Sequence, residues 1–228
     1  MGNEASQYRI VITGYGPYKV MGGVPLIQRY PAMSTYGEPL EWDPVGAQIE
    51  EAPIRNKYSL CRCGNSKNKP FCDGSHDENP PPTELNADRR PTAARQRVYR
   101  GPGVVMTDDT SLCMSAGFCG TRFIKVWDML KRTDDPEILA RLTRMVSHCP
   151  SGRLIYSLEG GEPFEPEFRP SIATIIDGPL WVRGSIPIEA PDGFVYEVRN
   201  RVTLCRCGKS RNQPFCDGSH EKYQFKAP

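Results

Sequence analysis

The sequence predicts an α+β protein, predominantly β, in which two related β-units flank a small α+β unit. A sixteen-residue segment occurs twice with unchanged cysteine and histidine spacing. Short strand-like runs bounded by glycine and proline precede each occurrence, and a helical period occurs only between the two. Among 228 residues, 22 prolines, 21 glycines and a hydrophobic fraction of 38% favour turns and short strands over long helices.

In chain order, Arg9 to Thr13 reads as the first strand, and GPYKVMGGVPL from Gly16 aligns with GPLWVRGSIPI from Gly178. These blocks are offset by 162 residues and the cysteine segments by 144, so the first unit holds 18 extra residues within Gln28 to Tyr58. Gly14 to Gly23 lacks both the G-x-G-x-x-G spacing and the helix a nucleotide site needs, and is read as structural. Asp77 to Arg97, rich in proline and charge, reads as an exposed connection. Val98 to Thr107 reads as a strand. Ile138, Leu139, Leu142, Met145 and Val146 recur at helical spacing up to Cys149-Pro150, and Arg153 to Leu158 reads as another strand.

The second unit opens with Ile172 to Ile176 and continues as a hairpin, Leu180 to Ile188 and Phe194 to Leu204 about Pro191-Asp192-Gly193. The expected organisation is therefore 1–76 first unit, 77–97 linker, 98–160 inserted unit and 161–228 second unit.

Nine cysteines, an odd number, argue against a disulfide framework. Cys61, Cys63, Cys72 and His76 form C-x-C-x8-C-x3-H, and Cys205, Cys207, Cys216 and His220 repeat it. Three thiolates and an imidazole are zinc-ligand chemistry, but zinc ligands usually come in C-x2 to x4-C pairs, so C-x-C fits zinc poorly. Asp73-Gly74-Ser75 and Asp217-Gly218-Ser219 read either as capped starts of short helices or as ordinary Asp-Gly turns. Lys67, Lys69, Lys209 and Arg211 read as a solvated face.

The segments CRCGNSKNKPFCDGSH and CRCGKSRNQPFCDGSH resemble the CDGSH iron-sulfur signature of the mitoNEET-like family, with every ligand position filled. The resemblance implies a [2Fe-2S] cluster in each, with Cys61 and Cys63 on one iron and Cys72 and His76 on the other. The second set is Cys205 with Cys207 and Cys216 with His220. Members of this family are homodimers whose strands pair into a shared cap over two clusters. Two copies in one chain imply a duplicated mitoNEET-like β-cap, a monomer acting as an intramolecular pseudo-dimer. The chain lacks the hydrophobic N-terminal span of membrane-anchored members and is closer to soluble bacterial members with fused domains.

Cys113, Cys119 and Cys149-Pro150 resemble a divergent single-cluster bacterial ferredoxin in which Ala116 stands where the middle cysteine would be. That pattern fits a [3Fe-4S] cluster, a cluster with an outside ligand, or a domain without metal; free cysteines are also small buried hydrophobes. His148 reads as a complement to the helix end.

A net charge of +2 without a basic stripe excludes nucleic-acid binding, and no apolar run is long enough for a membrane span. Met1, Gly2 and Ser6 fit the short, degenerate N-myristoylation pattern. The expected function is electron transfer in the cytoplasm, with a reductase and an acceptor as protein partners. The alternatives are [2Fe-2S] transfer to apo iron-sulfur proteins, redox or pH sensing, and an iron-sulfur subunit of an oxidoreductase. No catalytic residue set is evident, so the chain is not read as an enzyme itself.

Overall fold

A computed structural model describes residues 7–43 and 56–228. The acylation pattern at Met1, Gly2 and Ser6 lies outside them, as does part of the Gln28 to Tyr58 insertion. The first copy supplies β1 (Arg9–Ile12), β2 (Tyr18–Met21), β3 (Leu26–Arg29), β4 (Pro31–Met33), β5 (Pro39–Trp42) and β6 (Lys57–Leu60). The middle segment adds β7 (Arg97–Gly101), β8 (Val104–Asp108), α1 (Val126–Met129), α2 (Pro136–Ser147) and β9 (Leu154–Leu158). The second copy adds β10 (Ser171–Ile175), β11 (Leu180–Arg183), β12 (Ile188–Glu189), β13 (Arg201–Leu204) and α3 (Ser219–Lys222). The protein is mostly β with few helices, and no helix among the described residues is long and apolar enough to cross a membrane.

The two copies exchange strands. One sheet runs β12-β1-β2-β6 and the other β13-β11-β10-β3, so each copy donates its third strand to the other's sheet. The exchanged strands pair parallel with matching registers, Ile10 with Ile188 and Leu26 with Ile172. Ile10, Ile12, Tyr18, Val20, Leu26 and Leu60 therefore share one core with Ile172, Leu180, Val182, Ile188, Val202 and Leu204. Alternating burial in β1 fits a sheet with one wet face. In β10, β11 and β13 every residue is buried, and on the outer face Met114 and Ala116 of the middle segment pack in one cluster with Ala173, Ile175 and Trp181.

Several expectations change. Val98 to Thr107 is not one strand but the β7–β8 hairpin, turned by Pro102 and Gly103. Of Leu180 to Ile188 only the two ends are strands, because β12 leaves its own sheet for β1. Phe194 to Asn200 is loop rather than strand, held by a single bridge from Val195 to Glu189. The connection at 77–97 is not simply exposed: Leu85 and Ala87 pack on the shared core, and the Ala87 amide donates to Gln213 at 2.9 Å.

The middle segment forms a small α+β unit. Its three-stranded sheet β7-β8-β9 packs against α1 and α2 through Met106, Val126, Met129, Leu142, Val146 and Leu154. Pro136 opens α2, and the Asp135 carboxylate accepts from the amides of Glu137 and Ile138. The described part of the first-copy insertion, β4–β5, clasps this unit. Trp42 Nε1 donates to His148 O at 2.9 Å, the Phe118 ring packs tilted against Trp42 at 4.8 Å, and Pro39 lies over Gly117.

Candidate metal centres

Both CDGSH-like loops are built alike. The Cys61 amide donates to Pro70 O and the Cys72 amide to Ser59 O, at 2.9 and 3.0 Å. The second loop repeats this with Cys205 to Pro214 and Cys216 to Thr203, at 2.8 and 2.9 Å. Ser66 and Ser210 hydroxyls donate to Phe71 O and Phe215 O, each at 2.6 Å.

Asp73 and Asp217 fasten their turns, and Asp217 also takes the first free amide of the short helix after it. Each accepts from a loop amide six residues back, Lys67 or Arg211, and from the amide of Ser75 or Ser219. In the first copy no helix follows, and in the second the four-residue α3 is entered at Gly218. The amide of Lys67 and the amide and hydroxyl of Ser75 hold the Asp73 carboxyl well below the ordinary range.

The sulfur of Cys61 lies 3.7 Å from that of Cys63, and Cys72 sulfur lies 3.3 Å from His76 Nδ1. The second copy gives 3.8 Å for Cys205–Cys207 and 3.3 Å for Cys216–His220 Nδ1. The donors thus pair two and two, and among the described residues no three acidic, cysteine or histidine side chains converge on one ion position. A tetrahedral zinc site needs four donors at one point, whereas a two-iron cluster takes two protein ligands on each iron. The residues fit the binuclear group. Burial pushes the thiols of Cys61, Cys72 and Cys216 up, while their shared hydrogen bond pulls Cys205 down and pushes Cys207 up. Loading either site with metal must therefore displace protons.

Sequence reasoning passed over Arg62 and Arg206, although each stands between the first two cysteines of its copy. Both are 1% exposed. Arg62 donates to the carbonyls of Thr13, Gly14 and Gly16 at 2.9 Å and of Pro82 at 3.2 Å. Arg206 donates to Ile175, Gly178 and Pro228 at 2.8, 2.9 and 2.6 Å. Burial lowers the Arg206 pKa to about 10, while the Cys61 sulfur opposes that fall from across the copies. Tyr18, whose place in the second copy is taken by Leu180, donates to Cys205 O at 2.8 Å.

The loops also meet back to back. A Cβ on Gly64 would lie 2.5 Å from Cys207 O, and one on Gly208 would lie 2.4 Å from Cys63 O. Their surroundings then diverge. The His76 side chain is 21% exposed, whereas His220 is buried at 7% exposure, and Ser115 of the middle segment crowds Gly218 two residues before it.

Cys113, Cys119 and Cys149 line one cavity together with Ala116, Ser151 and Arg153. Burial and the neighbouring Cys149 raise the Cys119 thiol, and Arg153 is held in place by both oxygens of Asp108 at 2.6 and 3.0 Å. Three cysteines spread around a cavity, without converging on one ion position, fit a cluster in which each iron takes one of them. His148 turns away from these cysteines, its Nδ1 3.1 Å from Leu40 O.

Neither the curated proteins nor the solved structures contain a match to this chain. Two families match. The one described as iron-binding zinc finger, CDGSH type, matches residues 15–77 and 177–221, and the one described as divergent 4Fe-4S mono-cluster matches residues 99–159. The CDGSH match implies [2Fe-2S] clusters, and the middle match is to a 4Fe-4S-type family, not specifically to the [3Fe-4S] centre that was one reading of Ala116. Two iron-binding segments of the CDGSH type, flanking a divergent 4Fe-4S mono-cluster segment, make this chain an iron-sulfur binding protein.

Proposed function

We propose that the protein carries single electrons between partner proteins through two [2Fe-2S] clusters and a third cluster in the middle segment. The two-and-two pairing of donors carries this reading. Cys61 and Cys63 would hold one iron and Cys72 and His76 the other. Cys205 with Cys207 and Cys216 with His220 would do the same in the second copy, and Cys113, Cys119 and Cys149 would hold the third group. The bound clusters supply one-electron chemistry, at potentials raised where imidazole replaces a thiolate.

Contacts between the loops support a relay from one site to the next. Ser115 abuts Gly218, which joins the middle loop to the second copy, and Gly64 and Gly208 join the second copy to the first. The relay ends at the partly exposed His76, which supports docking of a partner there. Reciprocal exchange of β3 and β12 supports the pseudo-dimer reading of the cap.

Anaerobically purified protein is expected to contain about eight iron and eight sulfide per chain if the third cluster has four irons. A [3Fe-4S] centre gives about seven iron and a signal in the oxidised EPR spectrum, and an empty middle segment gives about four iron. Colourless protein containing zinc contradicts the whole reading.

The exposure of His76 favours a second reading, delivery of the first-copy cluster to apo-proteins. Acidification is expected to release that cluster before the one under His220, because protons reach the exposed ring first. His76→Cys should abolish the fast phase of bleaching and lower that site's potential by on the order of 100 mV. Simultaneous loss of both clusters in the unmodified protein contradicts this asymmetry.

A further inference from the structure

Away from the cysteines, an open cavity of about 360 Å³ lies where β5, β11 and the end of α2 meet, within the size range of small-molecule sites. Arg29, Trp42, His148, Phe168, Trp181 and Arg183 are in its lining. The wall is aromatic: the rings of Trp42 and Trp181 are 4.8 Å apart, and Phe168 meets Trp181 edge-on at 5.5 Å. The guanidinium of Arg183 lies 5.4 Å from the Phe168 ring centre and 5.1 Å from that of Trp181.

Two buried donors in this lining have no acceptor. Arg183 is 9% exposed and gives Nη2 to Ser171 Oγ at 2.9 Å, but its Nε is unpartnered. Trp181 is 2% exposed and its indole N–H is also unpartnered. Both atoms are closed to solvent, so the donor left for an occupant is the remaining nitrogen of the Arg183 guanidinium, beside the aromatic wall.

The other charges here are engaged or exposed. Arg29 pairs with Asp43 at 2.9 Å, Glu41 is exposed, and the His148 ring faces Leu40 O. Among the described residues no carboxylate lies within ion-pair distance of Arg183. Burial and the nearby Arg29 lower its pKa to about 10, which leaves it cationic at neutral pH.

We propose that this cavity binds a small oxyanion borne on an aromatic ring, an aromatic carboxylate or an aryl phosphate. The oxyanion meets the free end of the Arg183 guanidinium, and the ring packs on Trp42 and Phe168. Trp181 also packs in one cluster with Cys216, and His148 adjoins Cys149, so an occupant would sit beside two of the cysteine sites. The inference stands on this geometry and is independent of the electron-carrier reading.

The test titrates full-length, cluster-loaded protein with benzoate, phenyl phosphate and neutral benzamide, followed by tryptophan fluorescence and calorimetry. Saturable binding of benzoate or phenyl phosphate, at least about tenfold tighter than benzamide, is the expected result. The tighter of the two anions identifies the source chemistry. Arg183→Gln should weaken the anion about tenfold or more while visible circular dichroism is unchanged. Phe168→Ala, which leaves the charge in place, should weaken anion and amide alike. Equal affinity for benzoate and benzamide, undiminished binding by Arg183→Gln, or no saturation by any probe up to about 10 mM overturns the proposal.

Discussion

Gly208→Val is expected to empty both CDGSH sites, and Gly64→Val to do the same. Gly208 has φ +69° and Gly64 has φ +84°, where a β-branched residue is strained by itself. The added Cβ would also stand 2.4 or 2.5 Å from a carbonyl oxygen of the opposite loop. That obstacle is backbone, so no rotamer change relieves it, and the combined cost is about 4 kcal/mol or more. The contact is reciprocal, so a push on either loop displaces the other copy's second cysteine. Gly74→Ala is the control: its φ is +92°, but the nearest atom to the new Cβ is the flexible Asp77 carboxylate at 3.9 Å. That variant should lose about 1–2 kcal/mol and retain its iron. Iron content per chain and thermal melting read the comparison. Normal iron and melting in Gly208→Val would show that the loops can separate without loss.

Replacing Arg206 or Arg62 by methionine is expected to cost about 3 kcal/mol of stability and to make the cluster potentials more negative. Arg206 satisfies the buried carbonyls of Ile175 and Gly178 and the more exposed one of Pro228, at about 1.5–3 kcal/mol per buried charge-assisted bond. Recovery of the desolvation cost of a buried cation offsets part of that sum. Adding an electron makes a cluster more anionic, so a nearby positive charge favours the reduced form and its removal disfavours it. Arg206→Lys should rescue little, because one ammonium cannot reproduce a planar fork spanning three carbonyls. Urea unfolding and voltammetry together separate the two roles. Lower stability with unchanged potential would leave these arginines as clasps for the carbonyls alone.

The ligand spacing and most short strands were legible because they are local. C-x-C-x8-C-x3-H lies within sixteen residues, and β1, β10 and α2 announce themselves by period and punctuation. What was not legible depends on partners far along the chain. Reading Leu180 to Ile188 as one strand does not reveal that its far end crosses to the other copy's sheet. Val195 and Val198 have strand-like side chains, yet both are about half exposed in a loop that meets β12 at one bridge and goes no further. The 18-residue offset reveals an insertion without revealing that Trp42 reaches His148. Arg62 and Arg206 carried a readable signal, the same cation at the same place in both copies, but their role depends on carbonyls contributed by distant turns.

Trading β3 for β12 within one polypeptide changes what dilution can do. A cap assembled from two separate subunits comes apart as protein concentration falls, since its folding is bimolecular. Here the same interlock closes with the second half tethered to the first, so its melting temperature should be independent of concentration. The tether also frees the halves from mirroring every substitution, as a symmetric dimer must. That freedom is visible in Tyr18 opposite Leu180, and in one histidine left open while its counterpart is roofed over.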